Sequence, residues 1–170
     1  MFLNQSRLLD GVVGGWQISG TIVESSGNPF QVFGNGNTYT QAGSQYPNRN
    51  AAVGIKPQGG RTYNEWYNPA AFSAPGNGNF GTLGRNPLVG PGLNYVNMSG
   101  GKTFTMPGER VKLQIRCDAQ NAFNHPSFGV PNGTLATPDA NGNYTGPTTG
   151  QINSLTVGGR SVQLGARLSF

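Results

Sequence analysis

Few residues in this chain have the chemistry to act on a substrate, and none stand at a spacing that lets them act together. His125 is the only histidine and Cys117 the only cysteine. Nucleophilic, general-base or zinc chemistry needs several such groups at set distances, and no His or Cys cluster surrounds either residue. A single cysteine also excludes an internal disulfide framework. Gly76-Asn77-Gly78-Asn79-Phe80-Gly81 has the glycine spacing of a dinucleotide loop. That loop works only between a strand and a helix; no strand precedes it, and Pro87 forbids the helix. Asp139-Ala140-Asn141-Gly142-Asn143 opens like a calcium loop, but its sixth position is Tyr144 and its twelfth Gly150. The turn glycine and the closing acid are both missing. The expectation is no catalytic centre, no cofactor and no resident metal, so the chain is not read as an enzyme.

Two other sets of residues remain. Trp66, Tyr67, Phe72 and Arg85, with Asn68 among them, form a loop cluster suited either to ligand contact or to folding the loop over the mouth of the fold they belong to, a barrel on the reading below. Lys112, Gln114, Arg116 and Asp118 alternate along one segment, and Arg167 holds the same parity in another. A Lys or Arg at the middle of a bilayer costs about 2–4 kcal/mol. These side chains are therefore expected to line a wet lumen, or to pair with carboxylates of neighbouring strands or of a plug.

The elements that must position them are strands. Of 170 residues only 10% are charged, 35% are hydrophobic, 28 are glycine and 12 are proline. An ordinary soluble domain carries about 25% charge. The net charge is +5, but the eleven Lys and Arg are scattered without a basic run, which excludes a nucleic-acid partner. No run of about 18 apolar residues offers a transmembrane helix. Met1-Phe2-Leu3-Asn4-Gln5-Ser6-Arg7 lacks the charged start and apolar core of a signal peptide. The expectation is a piece of a longer exported protein.

Period-two alternation predicts five strands, at about 14–25, 29–34, 93–105, 110–123 and 159–170. In the first, Trp16, Ile18 and Ile22 share a face; in the second, Phe30 and Val32. Val96, Met98 and Phe104 share a face that Lys102 interrupts. Val111, Leu113, Ile115, Cys117 and Ala119 follow, then Val162, Leu164, Ala166, Leu168 and Phe170. Several of these strands exceed the usual length of about 5–6 residues and suit a tilted membrane strand of about 9–11. Short turns at Ser26-Gly27-Asn28-Pro29 and Met106-Pro107-Gly108-Glu109 alternate with irregular stretches at about 35–92 and 124–155. Outer-membrane barrels alternate short periplasmic turns with long external loops in this way. The fold expected is all-β: antiparallel strands of a transmembrane barrel with two long extracellular loops. With the C-terminus in the periplasm, Phe30, Phe104 and Phe170 fall near the inner rim, and Trp16 and Phe123 near the outer one.

The last eight residues, Gln163-Leu164-Gly165-Ala166-Arg167-Leu168-Ser169-Phe170, resemble the β-signal read by the outer-membrane assembly machinery. Its constrained positions fall on Gln163, Gly165, Leu168 and Phe170. Five further segments resemble the late strands of TonB-dependent receptors of the Oar-like type, often found with a carboxypeptidase-regulatory-like domain. They are Gly14-Gly15-Trp16-Gln17-Ile18-Ser19-Gly20, Ser26-Gly27-Asn28-Pro29-Phe30, Trp66-Tyr67-Asn68-Pro69-Ala70-Ala71-Phe72, Gly81-Thr82-Leu83-Gly84-Arg85-Asn86 and the run from Asn121 to Gly129. The resemblance implies an outer-membrane location and a plugged barrel of about 22 strands. Its implied partners are membrane lipid, the assembly machinery, the rest of the barrel with its plug, and TonB through an N-terminal part not in this chain. The competing expectation is a secreted or surface β-rich module that binds a carbohydrate or similar ligand.

Overall fold

The computed structural model describes residues 11–34, 45–76, 78–106, 111–144, 146 and 148–170. Helix is confined to a turn at 11–13 and a 3-10 turn at Pro69–Ala71 among these residues. Ten strands follow in chain order: β1 (Trp16–Ser25), β2 (Pro29–Phe30), β3 (Asn48–Arg49), β4 (Phe72–Ser73), β5 (Leu88–Val89), β6 (Leu93–Thr105), β7 (Lys112–Gln120), β8 (Ser127–Phe128), β9 (Leu155–Val157) and β10 (Ser161–Ser169). The all-β, antiparallel architecture is the one the alternation predicts. The described residues fall into two compact units.

The first unit comprises the segments up to Glu24, Asn94–Pro126 and Val157–Phe170. It is one open sheet in the order β1-β6-β7-β10. β6, β7 and β10 are antiparallel, with rungs Phe104–Leu113–Leu168, Lys102–Ile115–Ala166, Gly100–Cys117–Leu164 and Met98–Ala119–Val162. The amide of Thr103 donates to Gly15 O (2.9 Å), and Asn94 Nδ2 donates to Glu24 Oε1 (3.4 Å). Position 15 therefore meets 103 while 24 meets 94, and β1 runs antiparallel to β6. Residues 107–110, where the sequence predicts a tight turn, lie outside the described residues, as do 1–10, 35–44 and Asn77 of the glycine-rich run. Across that turn, the amide of Met106 donates to Val111 O (3.0 Å) and closes the β6–β7 hairpin.

The second unit, Ser25–Leu93 with Ser127–Thr156, is where the two long stretches meet. They are not structureless. Phe30, Val32, Tyr67, Ala71, Phe72, Leu83, Leu88, Leu135 and Tyr144 form a buried core. Three two-stranded ribbons frame it: β2–β5, β3–β4 and β8–β9. The stretches are stitched to each other. The amide of Phe33 donates to Gly133 O, that of Leu135 to Phe33 O and that of Ile152 to Tyr63 O, each at 2.8 Å. Gly81 rests against the Tyr46 carbonyl so closely that any side chain would collide with it.

One strand departs from expectation. The segment expected over 29–34 contributes only Pro29–Phe30, and it pairs with Leu88–Val89 instead of joining the main sheet. Phe30 and Val32 do share a face, but that face is buried in the second unit's core. Ser26-Gly27-Asn28 is thus an exit into that unit, not a hairpin turn. β1 pairs directly with β6, so four strands share the sheet and β1 runs opposite to the direction expected. Trp16 consequently stands at the end of the sheet that holds Phe104, not at the Phe123 end, and Phe30 is part of the second unit's core.

Candidate functional site: two faces of one sheet

Alternation sends successive side chains of each long strand to opposite faces. On one face stand Ile18, Ile22, Met98, Phe104, Leu113, Ile115, Cys117, Val162, Leu164, Leu168 and Phe170. They are not buried: Ile18 and Leu164 are each 75% exposed, and Phe170 is 99% exposed. A large apolar side chain removed from water is worth about 1.5–3 kcal/mol, so this face forgoes the stabilisation a core would give. It suits a hydrocarbon surrounding. Cys117 lies on it, opposite Leu164 and Gly100, as an exposed free thiol.

The other face gathers the residues expected to line a lumen. Lys112 lies between Ser169 and Thr105, Gln114 between Arg167 and Thr103, and Arg116 between Gly165 and Gly101. Lys112, Gln114, Arg116 and Arg167 therefore share one polar surface. Beside them Arg116 Nε meets Asp118 Oδ1 at 2.8 Å, an exposed pair of little energetic weight. β10 divides the residues expected to form an assembly signal between the faces: Gln163 and Gly165 lie on the polar side, Leu168 and Phe170 on the apolar side.

Lys102 is the residue that sequence parity placed without explaining. It sits within the apolar face, level with Ile115 and Ala166, yet it is only 7% exposed. Its Nζ donates to Val12 O (2.6 Å) and Gly14 O (3.2 Å). It also lies 4.8 Å from the Trp16 ring centroid and 5.2 Å from that of Phe104. Carbonyl dipoles and aromatic faces both favour a cation. Gly15 makes the cap possible. Its φ is +73°, and a Cβ there would stand 2.5 Å from Thr103 O. The signal in sequence was an isolated Lys flanked in space by two aromatics, but it required the β1–β6 register to read.

At the opposite end of the sheet, Asn121 closes β7. It is buried with φ +48°. Its Nδ2 donates to Gly158 O (2.8 Å), its Oδ1 accepts from the His125 amide (2.9 Å), and its own amide donates to Asn97 Oδ1 (3.0 Å). His125 is thus held at the exit from the strand, its Nδ1 3.4 Å from Asn94 O.

The loop cluster divides between buried and accessible members. Tyr67 and Phe72 are 1% exposed and pack edge to face at 5.7 Å. Neither reaches a ligand without opening the core. The Tyr67 hydroxyl donates to Asn132 O (2.9 Å), and burial pushes its pKa up, slightly offset by a hydrogen bond with the Gly150 backbone. Asn68 caps the 3-10 turn by accepting from the Ala70 amide (3.0 Å). Trp66 packs against the core and donates to Val89 O (2.9 Å), with the Arg61 guanidinium 5.3 Å from its ring centroid. Arg85 is exposed. Sequence reasoning missed this core because its members follow no period. The Asp139 carboxylate is also occupied, accepting from the amides of Asn141 (2.9 Å) and Asn143 (2.8 Å). Those bonds, the Asn143 amide foremost, hold its pKa below the usual carboxylate range. Among the described residues no group of three or more His, Cys, Asp or Glu is placed to hold a metal ion.

A two-faced sheet of long antiparallel strands, with its large apolar side chains turned outward, is the geometry of a membrane barrel wall. The family model described as an outer membrane beta barrel domain matches residues 1–163. Searches of the curated proteins and of the solved structures gave no match. The match spans nearly the whole chain, and the chain belongs to the outer membrane β-barrel domain family: it is an outer membrane protein.

Proposed function

We propose that this chain is part of the barrel of a TonB-dependent receptor of the Oar-like type, a plugged barrel that takes up a large or scarce substrate. The carrying observation is the open, two-faced sheet. β1 and β10 are its edges. Unpaired backbone groups in hydrocarbon cost several kcal/mol each. Four strands do not enclose a lumen, so both edges are joined by further strands of the parent barrel, and this part transports nothing alone. The finer reading is supported by the five ordered segments that resemble the Oar-like type, together with the terminal signal.

In this reading β10 runs toward the periplasm and both long excursions lie outside the cell. Lys112, Gln114, Arg116 and Arg167 look into the lumen, where the three cations face a plug or a passing anionic group. Trp66 and Arg85 are the members of the loop cluster left accessible to substrate. Gln163, Gly165, Leu168 and Phe170 are read by the assembly machinery, and TonB engages the N-terminal part. Two measurements test this. Deleting Phe170 from the full-length protein lowers its outer-membrane level; an unchanged level refutes the signal. An in-frame coding region upstream of Met1 that encodes a plug and a TonB box supports the receptor, and a stop codon directly upstream of Met1 in the genome refutes it.

A further inference from the structure

The apolar face carries an open groove of about 450 Å³ lined by Val12, Trp16, Gly100, Lys102, Ile115 and Cys117, among others. Gly100 contributes no side chain, which leaves a furrow beside Lys102 on the rung of Cys117. We propose that this groove binds one anionic glycerophospholipid, its headgroup phosphate at Lys102 and an acyl chain along the furrow. The proposal rests on the membrane location of the sheet and not on the transport reading.

Three observations converge. Lys102 carries three N–H donors, and the two carbonyls of Val12 and Gly14 take two of them. Both are neutral acceptors. Among the described residues no carboxylate pairs with Lys102, and the acid that shares its face, Glu24, stands at the far end of β1 with Asn94 Nδ2 on its Oε1. Among the described residues its ammonium has no counter-charge within reach, and on a hydrocarbon-facing surface it selects an anion from its surroundings. Depth agrees as well. Lys102 stands two residues, roughly 7 Å along the strand, from Phe104. It is thus next to the aromatic rung at the rim and far from the midplane, where a cation is costly. The carbonyls that hold its ammonium belong to the segment before Trp16, so the side chain reaches toward the rim, as a snorkelling lysine does. The lining beside the cation is otherwise apolar, which fits an acyl chain and excludes a free phosphate ion as the preferred occupant.

The test uses the intact protein in its own outer membrane. A benzophenone side chain placed at Ile115 is photoactivated, and the cross-linked lipid is identified by mass spectrometry. The same probe at Leu164, further along the same face, serves as the reference. The expected result is about fivefold enrichment of anionic headgroups at position 115 over position 164, the factor one lysine near an anionic membrane surface supplies. Lys102→Met removes the enrichment and Lys102→Arg retains it. Equal headgroup composition at the two positions, enrichment that persists in Lys102→Met, or a cross-link to protein instead of lipid overturns the proposal. Should Lys102→Met fail to assemble, the comparison of positions 115 and 164 in the wild-type background still decides it.

Discussion

The sheet and the loop unit treat the same side chains in opposite ways. In the sheet, Ile18, Ile22 and Leu164 are 75%, 71% and 75% exposed. In the loop unit, Val32 and Leu135 are fully buried and Tyr67 and Phe72 nearly so. One region keeps polar groups along a single face and turns its apolar groups outward. The other collapses nine apolar residues into a core without a regular strand longer than three residues. The difference is one of solvent. Burial from water drives the loop unit, so its apolar residues converge from anywhere in sequence. Hydrocarbon offers no such drive to a strand; what it demands is that every backbone group be paired. The sheet is accordingly regular in its backbone and spread out in its side chains.

Substitutions that exchange these roles test the contrast. The largest effect is expected for Phe72→Ala, which opens a cavity in the loop core and costs about 3–5 kcal/mol. Protease cleavage within 45–76 of the intact protein then rises steeply, while Leu164→Ala leaves it unchanged. Next comes Leu164→Arg on the outward face, expected to cost about 2–4 kcal/mol in a bilayer. Gln163→Arg, one residue away on the polar face, costs far less. Denaturant titration of the barrel in vesicles reads the difference, and equal losses would contradict the two-faced assignment. Asn121→Ala removes two side-chain hydrogen bonds from a buried site and is expected to cost about 1–3 kcal/mol. Asn121→Gly relieves the positive φ but not the lost bonds, so it destabilises as well. The smallest effect concerns Asp139. Its pKa is depressed in the folded state, so its contribution is present above the ordinary carboxylate pKa of about 3.9 and is lost as pH falls through the lower folded value. The protection factor of the Asn143 amide falls in that acidic window, and Asp139→Asn abolishes the fall.

Much of the sheet was legible because period two is written into its sequence. The expected strands at 93–105, 110–123 and 159–170 correspond to Leu93–Thr105, Lys112–Gln120 and Ser161–Ser169, and 14–25 to Trp16–Ser25. The grouping of Lys112, Gln114, Arg116 and Arg167 followed from parity alone. The strand at 29–34 misled for the same reason. Phe30 and Val32 alternate as membrane-facing residues do, and periodicity cannot tell a lipid-facing side from one buried in a loop core. The core itself was illegible because Tyr67, Leu88 and Leu135 meet through tertiary contact, not spacing. Several motifs behind the family resemblance turn out to be folding devices of that unit: Tyr67, Ala71 and Phe72 fill the core, Asn68 caps a turn and Gly81 permits a close approach. Lys102 was visible as an anomaly, yet its partners lie about 90 residues earlier in the chain.

The stitching of Phe33 to Gly133 and of Tyr63 to Ile152 has a topological consequence for biogenesis. Two excursions that share one core must end on the same side of the membrane. Whatever chain separates them therefore crosses an even number of times, and β6 with β7 supplies one passage each way. The first excursion also waits for the second: its core lacks Leu135 and Tyr144 until the later segment arrives.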